Sequence, residues 1–264
     1  MPRFYLQSAL ALLLVGLAAA LSGCATFSRA AADTLVPVAE ENRLGREVAR
    51  EIDSQLTFHS NEEVQRYVSD LGRQILRHVD NVPAGINFTF QVVDDPTTIN
   101  AFAIPGGGIY VYTGLMRAMD NEAELVAVLS HEIAHVTRRH IAQRLVAAYG
   151  AQRVSNAALG NDPGLIGTLT ATVIGQGFLL RYSRDQERDA DEIGFGYMVS
   201  ANYNPEAFIT FFRKLEGGPT PPTLISSHPP PAQRIQYLTQ MIRELPQRPT
   251  RTEAERFQQI KDLL

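Results

Sequence analysis

The chain has 264 residues, 45% of them apolar and 20% charged, with a net charge of -4 and a pI near 5.9. That profile fits an ordinary folded chain long enough for one large domain or two small ones. The acidic balance excludes a general nucleic-acid binder, which needs basic density to neutralise phosphates, and no run of like charges forms a basic arm or acidic tail.

The N-terminus reads as a leader. Arg3 is followed by an almost wholly apolar run from Leu10 to Leu21, shorter than the roughly 20 residues of a membrane span. It ends in Leu21-Ser22-Gly23-Cys24, which resembles a bacterial lipobox. Such signals are cut before the cysteine, whose sulfur is lipidated and whose amino group is acylated. The expectation is therefore a leader over 1–23, lipidation at Cys24, a tether over 24–36 and a folded domain over 37–264. Several acyl chains on one residue suffice for stable anchoring. Ala25 rather than Asp follows Cys24, which by analogy with enteric bacteria favours the outer membrane, facing the periplasm. Cys24 is the sole cysteine, so no intrachain disulfide and no thiolate metal cluster can form.

Pro37–His59 and Asn61–His78 carry apolar residues at threes and fours, predicting two helices, with Asn61 as N-cap of the second. The period then changes to two. Asn87–Asp94 reads as a half-buried strand, and Asn100–Ile104 and Ile109–Thr113 as two more, joined by Pro105-Gly106-Gly107-Gly108. A helix with an Asn121/Glu124 capping box is predicted to run to about Ala148. Leu165–Leu180 reads as a buried helix, too short and polar for a span. Ser183 and Gln186 open another helix through Ser200. Further helices are predicted over Pro205–Glu216 and Pro231–Leu245, with a Pro/Gly-rich loop over Gly217–Pro230 and a peripheral helix from Thr252.

The chemistry centres on His131-Glu132-Ile133-Ala134-His135. Histidines four apart on a helix lie about 40° apart on one face, so both imidazoles can reach one ion. Glu132 sits beside them, placed to act as general base toward water that a zinc ion acidifies to a pKa near 7. The third ligand sets the subclass. A metzincin would need Gly and His where Arg138 and Ile141 stand, and His140 lies about 180° from His131 on a continuous helix. A deformylase-type site would need a cysteine. An acidic residue on a later helix remains, and Glu187-Arg188-Asp189-Ala190-Asp191 supplies it. Glu187 and Asp191 face one way and Asp189 another. Glu187 would ligate the metal, and Asp191 would accept the free ring N–H of a metal-binding histidine. The swap, with Asp191 as ligand, stays open at this point.

Taken with Asn100-Ala101-Phe102-Ala103-Ile104-Pro105-Gly106-Gly107 and Tyr182-Ser183-Arg184 through Asp191, these motifs resemble the HtpX and CaaX-endopeptidase family of zinc metallopeptidases (gluzincins) over roughly Val38 to Leu245. The chain is most similar to its short bacterial lipoprotein branch. The resemblance implies an α+β fold: a mostly helical zincin-type domain with a small sheet beside the active-site helix. It implies one Zn2+ per chain on His131, His135 and Glu187, with Glu132 as catalytic base. It also implies a substrate held as an added strand along Asn100, Ala101, Phe102, Gly106 and Gly107, where a plain structural hairpin is the alternative. Related proteins carry a similar segment to Ser226-Ser227-His228-Pro229, which places His228 over the zinc as fourth ligand or oxyanion donor; Tyr182 and Arg184 are further oxyanion candidates. The expected role is an endopeptidase acting on unfolded or misassembled envelope proteins, in protein quality control. Two competing readings are a chaperone-like protein with a latent zinc site and a zinc hydrolase of non-peptide amides.

Overall fold

The computed structural model describes residues 36–176, 181–216, 224, 228 and 231–264. The leader, Cys24 and the tether lie outside the described residues, as does most of the 217–230 loop. Helices α1 (Val38–Gln55) and α2 (Glu62–Leu76) form where the spacing predicts, burying Leu44, Val48 and Ile52 from the first and Val64, Val68, Leu71 and Ile75 from the second. The Asn61 side chain caps α2 by accepting the Glu63 N–H at 2.8 Å.

Strands β1 (Thr89–Val93), β2 (Ala101–Ala103) and β3 (Gly108–Tyr112) make one sheet in the order β1-β3-β2. Central β3 is parallel to β1 and antiparallel to β2, with Phe102 opposite Tyr110 and their rings stacked at 4.9 Å. Every residue of β3 is buried, so both faces of the sheet are covered. The turn Pro105–Gly107 holds Gly106 at φ +80° and Gly107 at φ +103°. Helix α1 meets this turn backbone to backbone: a Cβ on Gly45 would stand 1.9 Å from the Pro105 carbonyl oxygen.

The chain then forms α3 (Thr113–Ala118), a short helix that the strand pattern hides, and α4 (Glu122–Thr137), all 16 residues of which are buried. Helix α4 packs against α2 and β2, which leaves no polar face to read as a period. Asn121 caps α4 by accepting the Glu124 N–H, but the expected box does not close, because Glu124 accepts from Asp120 N–H instead.

The helix predicted to reach Ala148 breaks at Arg139, which adopts the left-handed region at φ +55° and starts α5 (His140–Tyr149). No glycine or proline marks the break. A buried ion pair holds it: Arg139 Nε lies 2.9 Å from Glu41 Oε2, and a second guanidinium nitrogen bonds the Val36 carbonyl. Helices α6 (Ala151–Ala158) and α7 (Pro163–Gln176) follow. Helix α7 buries Leu165, Leu169 and Val173 on the side facing α1, but Gly167, Thr168, Ala171 and Gly175 are exposed. The expected buried helix is therefore half exposed. Among the described residues no helix is long and apolar enough to cross a membrane.

Helix α8 (Arg184–Ser200) opens with the predicted Ser183/Gln186 capping box, both halves of which form. Helices α9 (Glu206–Glu216), α10 (Pro231–Glu244) and α11 (Ala254–Lys261) complete the fold. The last is not peripheral: Phe257 and Ile260 are buried, and the helix packs on α2 and α4. The result is the expected α+β arrangement, mostly helical with a small sheet beside α4.

Candidate metal centre

Helix α4 carries His131, Glu132 and His135, and α8 carries Glu187 and Asp191. The two helices touch closely because residue 194 has no side chain. A Cβ on Gly194 would stand 3.0 Å from the His131 nitrogen and from the Ser130 carbonyl group. The two histidine Nε2 atoms lie 3.0 Å apart. Glu187 Oε1 is 3.4 Å from His135 Nε2, and Glu187 Oε2 is 3.7 Å from His131 Nε2. His228 enters from the loop before α10, its Nδ1 2.6 Å from Glu187 Oε1 and 3.3 Å from His131 Nε2. The four side chains are buried, and each offers one ligand atom within 4.8 Å of the others.

That donor set fits zinc. Bonds of about 2.0–2.2 Å in a tetrahedron put ligand atoms roughly 3.3–3.6 Å apart; the His135–Glu187 and His131–His228 separations of 3.4 and 3.3 Å fall in that range, and the other three lie on either side of it. Burial lowers the pKa of both His131 and His135, which favours the neutral ring that binds metal. Burial pushes Glu187 up, but the charges of His228 and Arg234 outweigh it and hold the carboxyl well below its usual range. The Glu132 carboxylate is buried with no hydrogen-bond partner of good geometry on either oxygen. Burial raises it to about 7, against the opposing charge of His228, whose Nε2 lies 3.6 Å away. A buried, unsatisfied carboxylate beside converging ligands suits a group that meets water or substrate.

Asp191 does not enter the cluster. Its Oδ1 lies 2.9 Å from His131 Nδ1, the ring nitrogen that faces away from the other ligands. Arg234, on α10, grips Asp191 at 2.6 and 2.7 Å and reaches Glu187 Oε2 at 2.9 Å. Tyr237 donates to Asp191 as well. Tyr182 stacks on His135 at 3.7 Å, while Arg184 is exposed. His140 is not among the four, but neither is it turned away: its Nδ1 lies 3.0 Å from His135 Nδ1. Asp189 points away from the metal cluster, toward His140 and Arg138.

The proposed strand segment needs correction. Asn100, Phe102 and Ile104 direct their backbone groups to β3, as the Tyr112-to-Asn100 and Ile104-to-Gly108 bonds show. The outward-facing backbone groups belong to Ala101 and Ala103, on the edge of β2 that pairs with no strand among the described residues. Gly106 packs on Asn42 and Gly107 on Asn87, so both serve the turn. Beside Glu132 an apolar recess is lined by Val128, Phe208, Phe211, Phe212 and Leu224.

Comparison with known proteins adds the ancestry. The pattern of Peptidase family M48 matches residues 59–242. The chain belongs to peptidase family M48. Its M48 relatives include the beta-barrel assembly-enhancing protease of Escherichia coli K12, 28% identical over 218 residues, which cover 77% of this chain and 44% of that protein. Metalloprotease LoiP of the same organism is 30% identical over 212 residues, covering 76% and 79%. The mitochondrial metalloendopeptidase OMA1 of Schizosaccharomyces pombe is 29% identical over 211 residues, covering 77% and 61%. The chain thus spans less than half the length of the beta-barrel assembly-enhancing protease. M48 peptidases use zinc, and the His131, His135, Glu187, His228 cluster is able to hold one ion.

Proposed function

We propose that this M48 chain is a zinc-dependent endopeptidase of the bacterial cell envelope that cuts misfolded or unassembled envelope proteins. The observation that carries the reading is the meeting of three elements: the converging His131, His135 and Glu187 ligand atoms, the buried Glu132 carboxylate beside them, and the edge of β2, which pairs with no strand among the described residues and whose Ala103 backbone approaches that carboxylate. Zinc held by His131, His135 and Glu187 would acidify water and polarise a carbonyl. Glu132 takes a proton from the attacking water and returns it to the leaving amine. Asp191 accepts the His131 Nδ1–H, fixing the tautomer that turns Nε2 inward, and Arg234 holds Asp191 in place. Ala101 and Ala103 offer main-chain hydrogen bonds to an extended peptide, a recognition mode tolerant of sequence and suited to unfolded substrates. Tyr182, which stacks on His135 where Arg184 is exposed, is the favoured donor to the oxyanion. His228 completes the ligand set in the resting arrangement.

The Leu21-Ser22-Gly23-Cys24 signal supports a lipid-anchored location, and Ala25 after the cysteine favours the outer membrane. Incorporation of labelled palmitate into the chain, absent from Cys24→Ser, tests the anchor. Cleavage of casein by the zinc-loaded chain tests the peptidase. Turnover of peptidoglycan fragments without casein cleavage would favour a non-peptide amide hydrolase, and suppression of aggregation without cleavage a chaperone.

A further inference from the structure

We propose that His140 and Asp189 are positioning residues for the metal-binding ring of His135, an inference that rests on the metal site proposed above. A neutral imidazole that binds metal through one nitrogen carries its proton on the other, and in a buried site that N–H needs an acceptor. Both His131 and His135 turn Nε2 inward, so each carries its proton on Nδ1. For His131 the acceptor is the Asp191 carboxylate at 2.9 Å. For His135 no carboxylate stands at that position. Its Nδ1 faces His140 Nδ1 at 3.0 Å.

Two facing ring nitrogens bond only when one has a proton and the other a lone pair. His140 therefore offers its Nδ1 lone pair and carries its own proton on Nε2. That nitrogen lies 3.2 Å from Asp189 Oδ2, an acceptor. Asp189 is in turn gripped by Arg138 at 2.6 and 3.1 Å. The chain of donors runs from His135 through His140 to Asp189, and each member fixes the tautomer of the one before it.

The break at Arg139 makes this geometry. On a continuous helix His140, five residues after His135, would lie about 140° around the axis. With Arg139 in the left-handed region, the two rings stand 5.1 Å apart, edge to face. Tyr182 covers the His135 ring at 3.7 Å, which leaves the ring plane little freedom except through its Nδ1 partner. The two metal-binding histidines are thus held by different devices, one by a carboxylate directly and the other through a second imidazole.

The test is the zinc affinity of the full chain, purified in detergent, measured by competition with a chromogenic chelator, beside thermal unfolding of the same proteins after metal removal. His140→Leu fills the space without an acceptor and is expected to weaken zinc binding by about 10- to 100-fold. His140→Asn places an amide oxygen near the Nδ1 position and an N–H toward Asp189, and is expected to recover most of that loss. The metal-free Asn variant is expected to unfold close to the wild-type temperature, and the metal-free Leu variant, which strands the buried His135 Nδ1–H, below it. Zinc binding by His140→Leu as tight as wild type would overturn the proposal. So would a loss that Asn does not relieve and that matches a fall in metal-free stability, the mark of a plain core histidine. If the wild-type chain itself holds no zinc, the metal reading fails and this inference falls with it.

Discussion

Substituting Gly194 with alanine tests how α8 is brought against α4. In an exposed helix interior, Gly→Ala stabilises by roughly 0.5–1 kcal/mol through reduced chain entropy. Gly196 is such a position: it is exposed and nothing stands within 4 Å of a Cβ built there. Gly194 is its opposite on the same helix. There the added carbon would meet His131 N and the Ser130 carbonyl carbon and oxygen at 3.0 Å, backbone atoms that cannot rotate aside. The helices must part by several tenths of an ångström, and overpacking of this kind costs about 1–3 kcal/mol. Gly196→Ala is therefore expected to gain up to about 1 kcal/mol, and Gly194→Ala to lose up to about 2 net of its propensity gain. The parting also moves Glu187, two turns earlier on α8, away from His131 and His135, so Gly194→Ala alone weakens zinc binding. Urea unfolding of the chelated proteins and chelator competition measure the two effects. A Gly194→Ala protein as stable as Gly196→Ala, with wild-type zinc affinity, would refute the reasoning.

Three further outcomes are expected. His228→Ala keeps one zinc per chain on the other three ligands but weakens its affinity in the same competition assay; unchanged affinity together with an unchanged peptidase rate would rule out a role for His228 at the metal. Arg139→Met removes the guanidinium from the buried Glu41 carboxylate and from the Val36 carbonyl and is expected to cost about 3–5 kcal/mol in urea unfolding, part of which Glu41→Gln in the same chain restores; a cost below about 1 kcal/mol contradicts the account of the helix break. Burial pushes Asp95 up, but hydrogen bonds from the hydroxyls and amides of Thr97 and Thr98 outweigh it and lower its pKa. Its contribution to stability is therefore complete above the unfolded value of about 4 and is lost as pH falls through the folded one. The stability gap between wild type and Asp95→Ala should narrow in that acid range, and a gap constant from pH 6 to pH 2.5 would show that the carboxylate is not responsible.

Much of this architecture is legible in the chain itself. The caps at Asn61, Asn121 and Ser183 and the 3.6-residue period place α1, α2, α8 and the start of α4 to within a few residues, because local hydrogen-bonding chemistry and, for α1 and α2, one-sided burial decide them. Spacing pairs His131 with His135 and Glu187 with Asp191, since residues four apart on a helix share a face, but it leaves open which acidic residue would be the ligand, and the family resemblance supplies that choice. What the sequence conceals depends on tertiary contact. The break at Arg139 has no turn residue and exists because Glu41, 98 positions away, neutralises the buried guanidinium. A continuous helix would turn His140 away from His135, which it in fact faces at 3.0 Å. The roles of Arg234 and Asp189 arise only when α10 and the α4–α5 turn meet α8. Helix α11 reads as peripheral because two apolar residues are a weak period, yet buried Glu122 needs Arg251 and Arg256 nearby, at 3.6 and 3.5 Å, and that anchors the segment. Of the strand residues named from the sequence only Ala101 faces outward, with Ala103 beside it, because which backbone groups face outward depends on register, and register is set by pairing with β3.

The most direct measurement is zinc content and casein cleavage, in parallel, for the chain and its Glu132→Gln variant. The account expects one zinc in each protein, with cleavage by the unsubstituted chain and a loss of about 100- to 10,000-fold in the variant. One zinc in each with equal cleavage would contradict Glu132 as the base, and zinc in each with no cleavage by either would contradict the peptidase itself.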